Sequence, residues 1–139
     1  MSLIRPIADG DEAAVIALWS ACGLTRPWND PAQDLRLARD TTTSAILVAT
    51  DDDRIIGTVM TGFEGHRGWV YYLAVDPAHR GAGLGRLLMT AAEAWLKAQG
   101  APKLQLMVRA DNAAALGFYE RLGLERQDVV VLGRRLDGR

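Results

Sequence analysis

The feature that most constrains the fold is a strand pattern followed by a glycine-rich loop and a long amphipathic helix. Residues Trp69–Val75 are apolar or aromatic throughout, which is typical of a central strand buried on both faces. From Leu84 onward, apolar residues recur at helical spacing until Gly100 ends the pattern. A second strand pattern then covers Lys103–Val108. A strand, a helix and a strand in this order predict a parallel crossover.

The remaining patterns add an antiparallel part to the sheet. Helical spacing predicts two helices near the start of the chain, with Asp9 and Asp30 as acidic N-caps. Strand patterns joined by short turns predict a hairpin, and a short helix after Asn112 precedes a last strand at Val129–Leu136. The order β-α-α-β-β-β-α-β-α-β predicts an α/β (α+β) fold in one domain, residues 1–139, with helices on the faces of a mixed sheet.

Composition excludes several other classes of protein. Hydrophobic residues make up 49% and charged residues 24% of the chain, the balance of a globular protein. No apolar run reaches the roughly 18 residues that a membrane helix requires, and the start of the chain lacks a signal-peptide pattern. We therefore expect a cytoplasmic protein. The single cysteine, Cys22, excludes an internal disulfide, and no cluster has metal-ligand spacing, so no metal is expected.

The balanced net charge conceals an uneven distribution along the chain. Residues 1–60 carry 5 basic and 9 acidic side chains, whereas residues 61–139 carry 11 basic and 8 acidic ones. An anionic ligand is therefore expected on the second part. No basic stripe favours nucleic acid, and no pattern favours a membrane surface.

The loop before the long helix has the composition of an anion-binding site. Gly81, Gly83 and Gly85 stand where unpaired amides and the positive end of the helix dipole converge. Glycines there let phosphate oxygens reach the amides without a Cβ in the way. The P-loop and the dinucleotide fingerprint do not fit, because both require a glycine where Arg86 or Leu88 stands.

Three segments together resemble the GNAT family of N-acetyltransferases. Arg80, Gly83 and Gly85 match the Arg-x-x-Gly-x-Gly pattern of its acyl-CoA pyrophosphate loop. Tyr72–Pro77 is similar to its central strand, and Asn112–Leu124 to its second cofactor-contacting segment. The resemblance covers nearly the whole chain and implies the GNAT fold, a mixed, mostly antiparallel sheet of six to seven strands flanked by four helices.

The resemblance implies acetyl-CoA (coenzyme A) as the cofactor and a thioester beside the end of the central strand. A bulge there would splay this strand from the next one, and the amide of Val75 would stabilise the oxyanion. The residues it assigns to the cofactor are Leu73, Ala74, Val75, Arg80, Gly81, Ala82, Gly83, Leu84, Gly85, Arg86, Asn112, Phe118 and Tyr119. Core packing by Leu73 and Val75 and helix capping by Asn112 are the alternatives.

The resemblance also assigns the proton transfers. Tyr119 matches the family's general acid, since a phenol can protonate a developing thiolate; the alternative is an aromatic residue on an apolar helix stripe. The central strand lacks the carboxylate that many members use as the general base. Glu64 and His66, in the preceding turn, are candidates, because an imidazole titrates near neutral pH and a carboxylate can act through water. Both can equally be solvated loop residues, with water carrying the proton.

The acceptor region is read from two loops that are similar to those of the small bacterial YpeA-type members, Arg26–Pro31 and Gly65–Gly68. An exposed tryptophan beside a carboxylate suits a cationic amine, although a staple under the second helix is the alternative. The residues assigned to the acceptor are Trp28, Asn29, Asp30, Tyr71 and Tyr72.

The function expected from these features is N-acetyl transfer from acetyl-CoA to a primary amine, of a small molecule or a peptide, by direct transfer in a ternary complex. The alternative is a CoA-binding regulatory or interaction module without catalysis, which the missing strand carboxylate favours. Only about 16 residues follow Gly123, which suggests an open acceptor site or one completed in a homodimer.

Overall fold

A computed structural model describes residues 3–138, and the chain divides into two units, residues 1–107 and 108–139. The first unit contains β1 (Leu3–Pro6), α1 (Glu12–Ala21), α2 (Pro31–Asp40), β2 (Ser44–Asp51), β3 (Arg54–Phe63), β4 (Gly68–Val75), α3 (Leu84–Gln99) and β5 (Leu104–Leu106). The second contains α4 (Ala113–Arg121). Within residues 3–138, no helix has the length and apolar character needed to cross a membrane.

The first unit is built on a five-stranded sheet in the order β1-β2-β3-β4-β5. The first three pairs are antiparallel, and β4 and β5 are parallel. Because α3 connects the two parallel strands, the predicted strand–helix–strand crossover and the predicted mixed sheet are confirmed.

The two faces of this sheet are covered by different helices. On one face, α1 and α2 enclose a core that includes Trp19, Leu35 and Val48, each 0% exposed to solvent. On the other face, α3 lies so close to the sheet that a Cβ at Gly68 would stand 2.8 Å from the side chain of Leu96. Helices therefore cover both faces of the sheet, although Tyr71 of β4 remains 42% exposed.

A β-bulge interrupts β4 next to β3. Thr58 pairs with Ala74, but two residues further along β3 Met60 pairs with Tyr71, so β4 carries one extra residue. The bulge contains Tyr72 at φ +51°, a left-handed conformation that costs a bulky residue roughly 1–3 kcal/mol. Tyr71 faces the same side as Met60, and both Met60 and Tyr72 pack against the α1–α2 core. The bulge therefore puts consecutive tyrosines on one face.

The number of strands differs from the prediction. The described residues contain the four expected α-helices but five strands instead of six to seven, because Val129–Leu136 forms no strand. Val130 and Leu132 in this segment are 85% and 92% exposed. A run of β-branched residues becomes a strand only when neighbouring backbone supplies its hydrogen bonds, and none is assigned to it within residues 3–138.

Candidate functional site

At the start of α3, several backbone N–H groups have no helix carbonyl to accept their hydrogen bonds. Gly83 precedes the helix at φ +84° and ψ 9°. The amide of Leu87 donates to the carbonyl of Gly83 at 3.1 Å, so the amides of Leu84, Gly85 and Arg86 lie before the first hydrogen bond of the helix. No side chain of the described residues caps this end. The arrangement, with the helix dipole behind it, suits an anion.

Arg80 fixes the glycine loop to the end of β4. Its Nε donates to the carbonyl oxygen of Val75 at 3.1 Å, and a terminal guanidinium nitrogen lies 3.5 Å from the sulfur of Cys22. The thiol of Cys22 donates to the same carbonyl at 3.3 Å. The loop residues Gly81, Ala82 and Gly83 and the cation of Arg86 are exposed. Arg80 thus stabilises the conformation of the loop through its hydrogen bond to Val75, and Arg86 places a positive charge at the start of the helix.

Strand β4 extends beyond the end of β5, which is only three residues long. They pair only where Gly68–Val70 lies beside Leu104–Leu106. From Tyr71 to Val75, no described strand pairs with the β5 side of β4. The unpaired side of β4 lies next to the bulge at Tyr72, and this side, from Tyr71 to Val75, is called the opening beside β4 below.

The backbone of Val75 is oriented toward this opening. The amide of Asp76 donates to the carbonyl of Ile56 at 2.8 Å, which marks Gly57 and Val75 as a non-hydrogen-bonded pair. The N–H of Val75 therefore points away from β3, to the side of β4 that has no strand partner at this point. By the same alternation, the backbone N–H of Ala74 points toward β3, and the backbone N–H of Leu73 points toward the opening beside β4.

Two aromatic side chains lie near the start of β4, before the bulge. Trp69 and Tyr71 stack with ring centroids 6.4 Å apart and an interplanar angle of 20°. The indole N–H of Trp69 donates to Glu64 at 3.2 Å, and Tyr71 remains 42% exposed. Burial of the ring, and then the nearby carboxylate of Glu64, raise the pKa of Tyr71. The pair forms an aromatic surface with a negative charge at its edge.

The carboxylate of Glu64 accepts hydrogen bonds from backbone amides of its own turn. One oxygen accepts the amides of Arg67 and His66, the latter at 2.6 Å. These backbone hydrogen bonds lower the pKa of Glu64, which makes it a weaker proton acceptor. His66 is exposed in the same turn.

The loop before α2 contains the other predicted acceptor residues. Asp30 caps α2, accepting the amides of Ala32 at 3.0 Å and Gln33 at 3.3 Å. Trp28 is 52% exposed, so about half of this residue is accessible to solvent. The amide of Asn29 donates to the carbonyl of Arg26 at 3.1 Å and closes the loop.

One polar contact near the site was missed by the sequence reasoning. The hydroxyl of Tyr72 donates to Asp34 of α2 at 2.6 Å, and its ring stacks on Trp19 at 3.8 Å. Burial and the contact with Asp34 raise the pKa of Tyr72. The available signal was the helical spacing, since Asp34 stands four residues before Ala38 and so shares its buried stripe.

The second unit carries three of the predicted cofactor residues. Asn112 caps α4 by accepting the amide of Ala115 at 3.1 Å. Phe118 and Tyr119 make an edge-to-face contact with centroids 5.1 Å apart. Burial raises the pKa of Tyr119 to about 12, so its phenol is protonated at neutral pH. In residues 3–138, no group of three or more His, Cys, Asp or Glu side chains is placed to hold a metal ion.

Several known proteins are similar to this chain. Residues 13–124 match the model of the acetyltransferase (GNAT) family. A protein of Yersinia pestis (strain Pestoides F) described as an acetyltransferase is 46% identical over 133 residues, covering 96% of this chain and 94% of the relative.

Two solved structures share the fold. The aminoglycoside N-acetyltransferase AAC(6')-Iy, in complex with the bisubstrate analogue CoA-S-monomethyl-acetylneamine, superposes with a TM-score of 0.83 at 17% identity, over 97% of this chain and 98% of that one. The ribosomal-protein-S18-alanine N-acetyltransferase of Escherichia coli gives a TM-score of 0.76 at 26% identity, over 88% of this chain and 77% of that one. Proteins of this fold therefore act on acceptors as different as an antibiotic and a protein.

Proposed function

Because the chain belongs to the acetyltransferase (GNAT) family and is therefore an acyltransferase, we propose that residues 1–139 form one domain that acetylates a primary amine. The GNAT family uses acetyl-CoA, and we propose acetyl-CoA as the donor here. The acetyl group would pass directly to the amine while both substrates are bound.

The observation that carries this proposal is the set of free amides at the start of α3, which lies close to the end of β4: a Cβ at Gly57, the partner of Val75, would stand 3.2 Å from the side chain of Leu84. The amides of Leu84, Gly85 and Arg86 would hold the pyrophosphate, and Arg86 would add a charge. The exposed loop glycines leave room for its oxygens, and Arg80 would keep the loop against Val75. Asn112 and Phe118, which the family resemblance assigns to the cofactor, belong to the second unit.

The backbone of β4 would serve the chemical step. Acetyl-CoA supplies a thioester, an acetyl group already activated for transfer. The N–H of Val75, aimed at the open side of β4, would stabilise the oxygen that becomes negative when the amine attacks. Tyr119 would give its proton to the departing thiolate, and its raised pKa of about 12 keeps that proton in place at neutral pH.

The amine must lose a proton before or during attack. Glu64 is the weaker of the two candidates, because two amides stabilise its ionised form and lower its pKa. We therefore assign this step to exposed His66, with water passing the proton between amine and imidazole.

The acceptor is proposed to be a cationic amine. Trp69 and Tyr71 offer stacked aromatic faces, which attract cations, and the charge of Glu64 lies beside them. The exposed ring of Trp28, with Asn29 and Asp30, would form a second wall. Polyamines, aminoglycosides and peptide N-termini all present such a group.

Acetyl-CoA is expected to raise the melting temperature by about 8 °C at a hundred times its Kd, since that ligand excess stabilises the folded state by about 2.7 kcal/mol. S-acetylpantetheine is the matched control, because it keeps the thioester and lacks the pyrophosphate. It should give a much smaller shift at the same concentration. No shift with saturating acetyl-CoA, or an equal shift with both ligands, would count against the proposed pyrophosphate site.

A further inference from the structure

The left-handed residue in the β4 bulge is held from three other elements. Its contacts come from Trp19 on α1, Asp34 on α2 and Thr58 on β3. These four residues, including Tyr72 itself, are called the bulge clamp below. Trp19 and Thr58 are fully buried, with 0% of each exposed. A bulky side chain at φ +51° persists only where its surroundings fix it, and the bulge clamp provides those surroundings.

Each part of Tyr72 has its own contact in the bulge clamp. The ring stacks on Trp19 at an interplanar angle of 16°. The backbone carbonyl accepts the hydroxyl of Thr58 at 3.0 Å, and that hydroxyl in turn accepts the indole N–H of Trp19 at 3.0 Å. The phenol donates to the carboxylate of Asp34 at 2.6 Å. Asp34 is the one member that anchors the far end of the side chain, and its hydrogen bond is of the strong, charge-assisted kind.

The bulge clamp determines which backbone amides of β4 face the opening. If Tyr72 left the left-handed conformation and β4 paired regularly, the register of β4 against β3 would shift by one residue after Tyr72. The backbone N–H of every later residue would then point to the opposite edge of the strand. The N–H of Val75 would then face β3 instead of the opening beside β4. The catalytic orientation of that amide therefore depends on a contact made from α2, 38 residues away from Tyr72 in sequence.

We propose that Asp34 is a positioning residue, which holds Tyr72 in the bulge and so keeps the Val75 amide aimed at the opening beside β4. This role rests on the proposed function, because the oriented amide serves the thioester of acetyl-CoA. Asp34 acts through its hydrogen bond to the phenol, so any side chain that accepts this hydrogen bond with the same reach should replace it.

The test compares Asp34→Ala, Asp34→Asn and Arg39→Ala. Asparagine keeps an oxygen that can accept the phenol proton, whereas alanine removes it. Arg39 lies on the same helix and pairs with Glu12 at 2.7 Å and Asp9 at 2.8 Å, so its loss weakens the attachment of α2 without touching the bulge clamp. Two quantities are measured: the NMR amide signals of residues 72–75 without ligand, and the single-turnover rate of acetyl transfer at saturating acetyl-CoA.

Asp34→Ala is expected to move the amide signals of residues 72–75 and to slow acetyl transfer about tenfold, because only about a tenth of the molecules would then hold the Val75 amide in place. Asp34→Asn should stay within about threefold of the wild type, as should Arg39→Ala. If Asp34→Ala unfolds, Tyr72→Phe removes the same hydrogen bond, keeps the ring stack and should show the same effects in smaller size.

Two results would overturn the positioning role. One is Asp34→Ala behaving like Arg39→Ala in both measurements, and the other is Asp34→Asn being as defective as Asp34→Ala. A wild-type protein that binds no acetyl-CoA would instead reject the proposed function. The ligand-free amide signals of residues 72–75 would still show whether Asp34 holds the bulge.

Discussion

Gly83→Val is expected to weaken acetyl-CoA binding by about a hundredfold while lowering stability no more than the same change at Gly100. Gly83 stands before the first residue of α3 at φ +84°, and valine in this conformation is strained by roughly 1–2 kcal/mol. Relief of that strain would turn the amides at the helix start away from the pyrophosphate. Losing one or two hydrogen bonds to a charged ligand, at about 1.5–3 kcal/mol each, gives the expected loss.

Gly100 provides a matched control at the other end of the same helix. Its φ is +88°, and a Cβ at either glycine would meet no atom within 4 Å. Gly100→Val therefore introduces the same strain far from the proposed pyrophosphate site. Calorimetric titration with acetyl-CoA and thermal unfolding of both variants separate the two effects. Equal affinities for the two variants would remove the glycine loop from the account of cofactor binding.

Tyr119→Phe is expected to lower kcat by about a hundredfold and to leave the Kd of acetyl-CoA within about threefold. The change deletes only the hydroxyl, and general acid catalysis contributes about 10²–10⁴ to a rate. The phenol is active while protonated, so its contribution is present at low pH and lost as pH rises through its raised pKa of about 12.

The wild-type kcat should accordingly show no decline from Tyr119 between about pH 7 and 10. Single-turnover rates and binding titrations, measured over this range for wild type and Tyr119→Phe, test the assignment. A variant that turns over within threefold of wild type would exclude Tyr119 as the acid. So would a wild-type rate that falls with an apparent pKa near that of an ordinary phenol.

The parts of the fold that rest on local signals could be predicted from the sequence. The helix from Leu84 to Gln99 follows from its apolar spacing, and the left-handed glycines at its two ends, Gly83 and Gly100, have no side chain to oppose that conformation. The parallel crossover follows from the order of elements. The amides at the start of α3 come with the helix itself, which is why the candidate pyrophosphate loop was visible in the sequence.

The bulge clamp could not be predicted in the same way. Asp34 and Tyr72 are in contact because α2 packs on the same face of the sheet as the Tyr72 side chain of β4. No local sequence pattern encodes that contact. The family resemblance implied a bulge, but the residues that hold it became visible only through their contacts. Tyr72 was therefore expected to face an acceptor, whereas its hydroxyl is occupied by a carboxylate of the fold.

The prediction of a last strand was wrong for a related reason. Val129–Leu136 has strong β propensity, which reflects how well its side chains suit a pleated, half-buried surface. Propensity does not supply a neighbouring strand, and Val129 and Val131 are 71% and 64% exposed. Sequence alone could predict the local preference of this segment but not whether it pairs.

Steady-state acetyl transfer tests the central claim most directly. Purified protein is given acetyl-CoA with a polyamine, an aminoglycoside, an amino acid or a peptide with a free N-terminus, and both thiol release and the acetylated amine are measured. We predict that at least one cationic amine is acetylated in equal amount to the thiol released, with initial-rate plots that intersect, as a ternary complex requires. Thiol release no faster than without protein, for every amine and with acetyl-CoA bound, would contradict it.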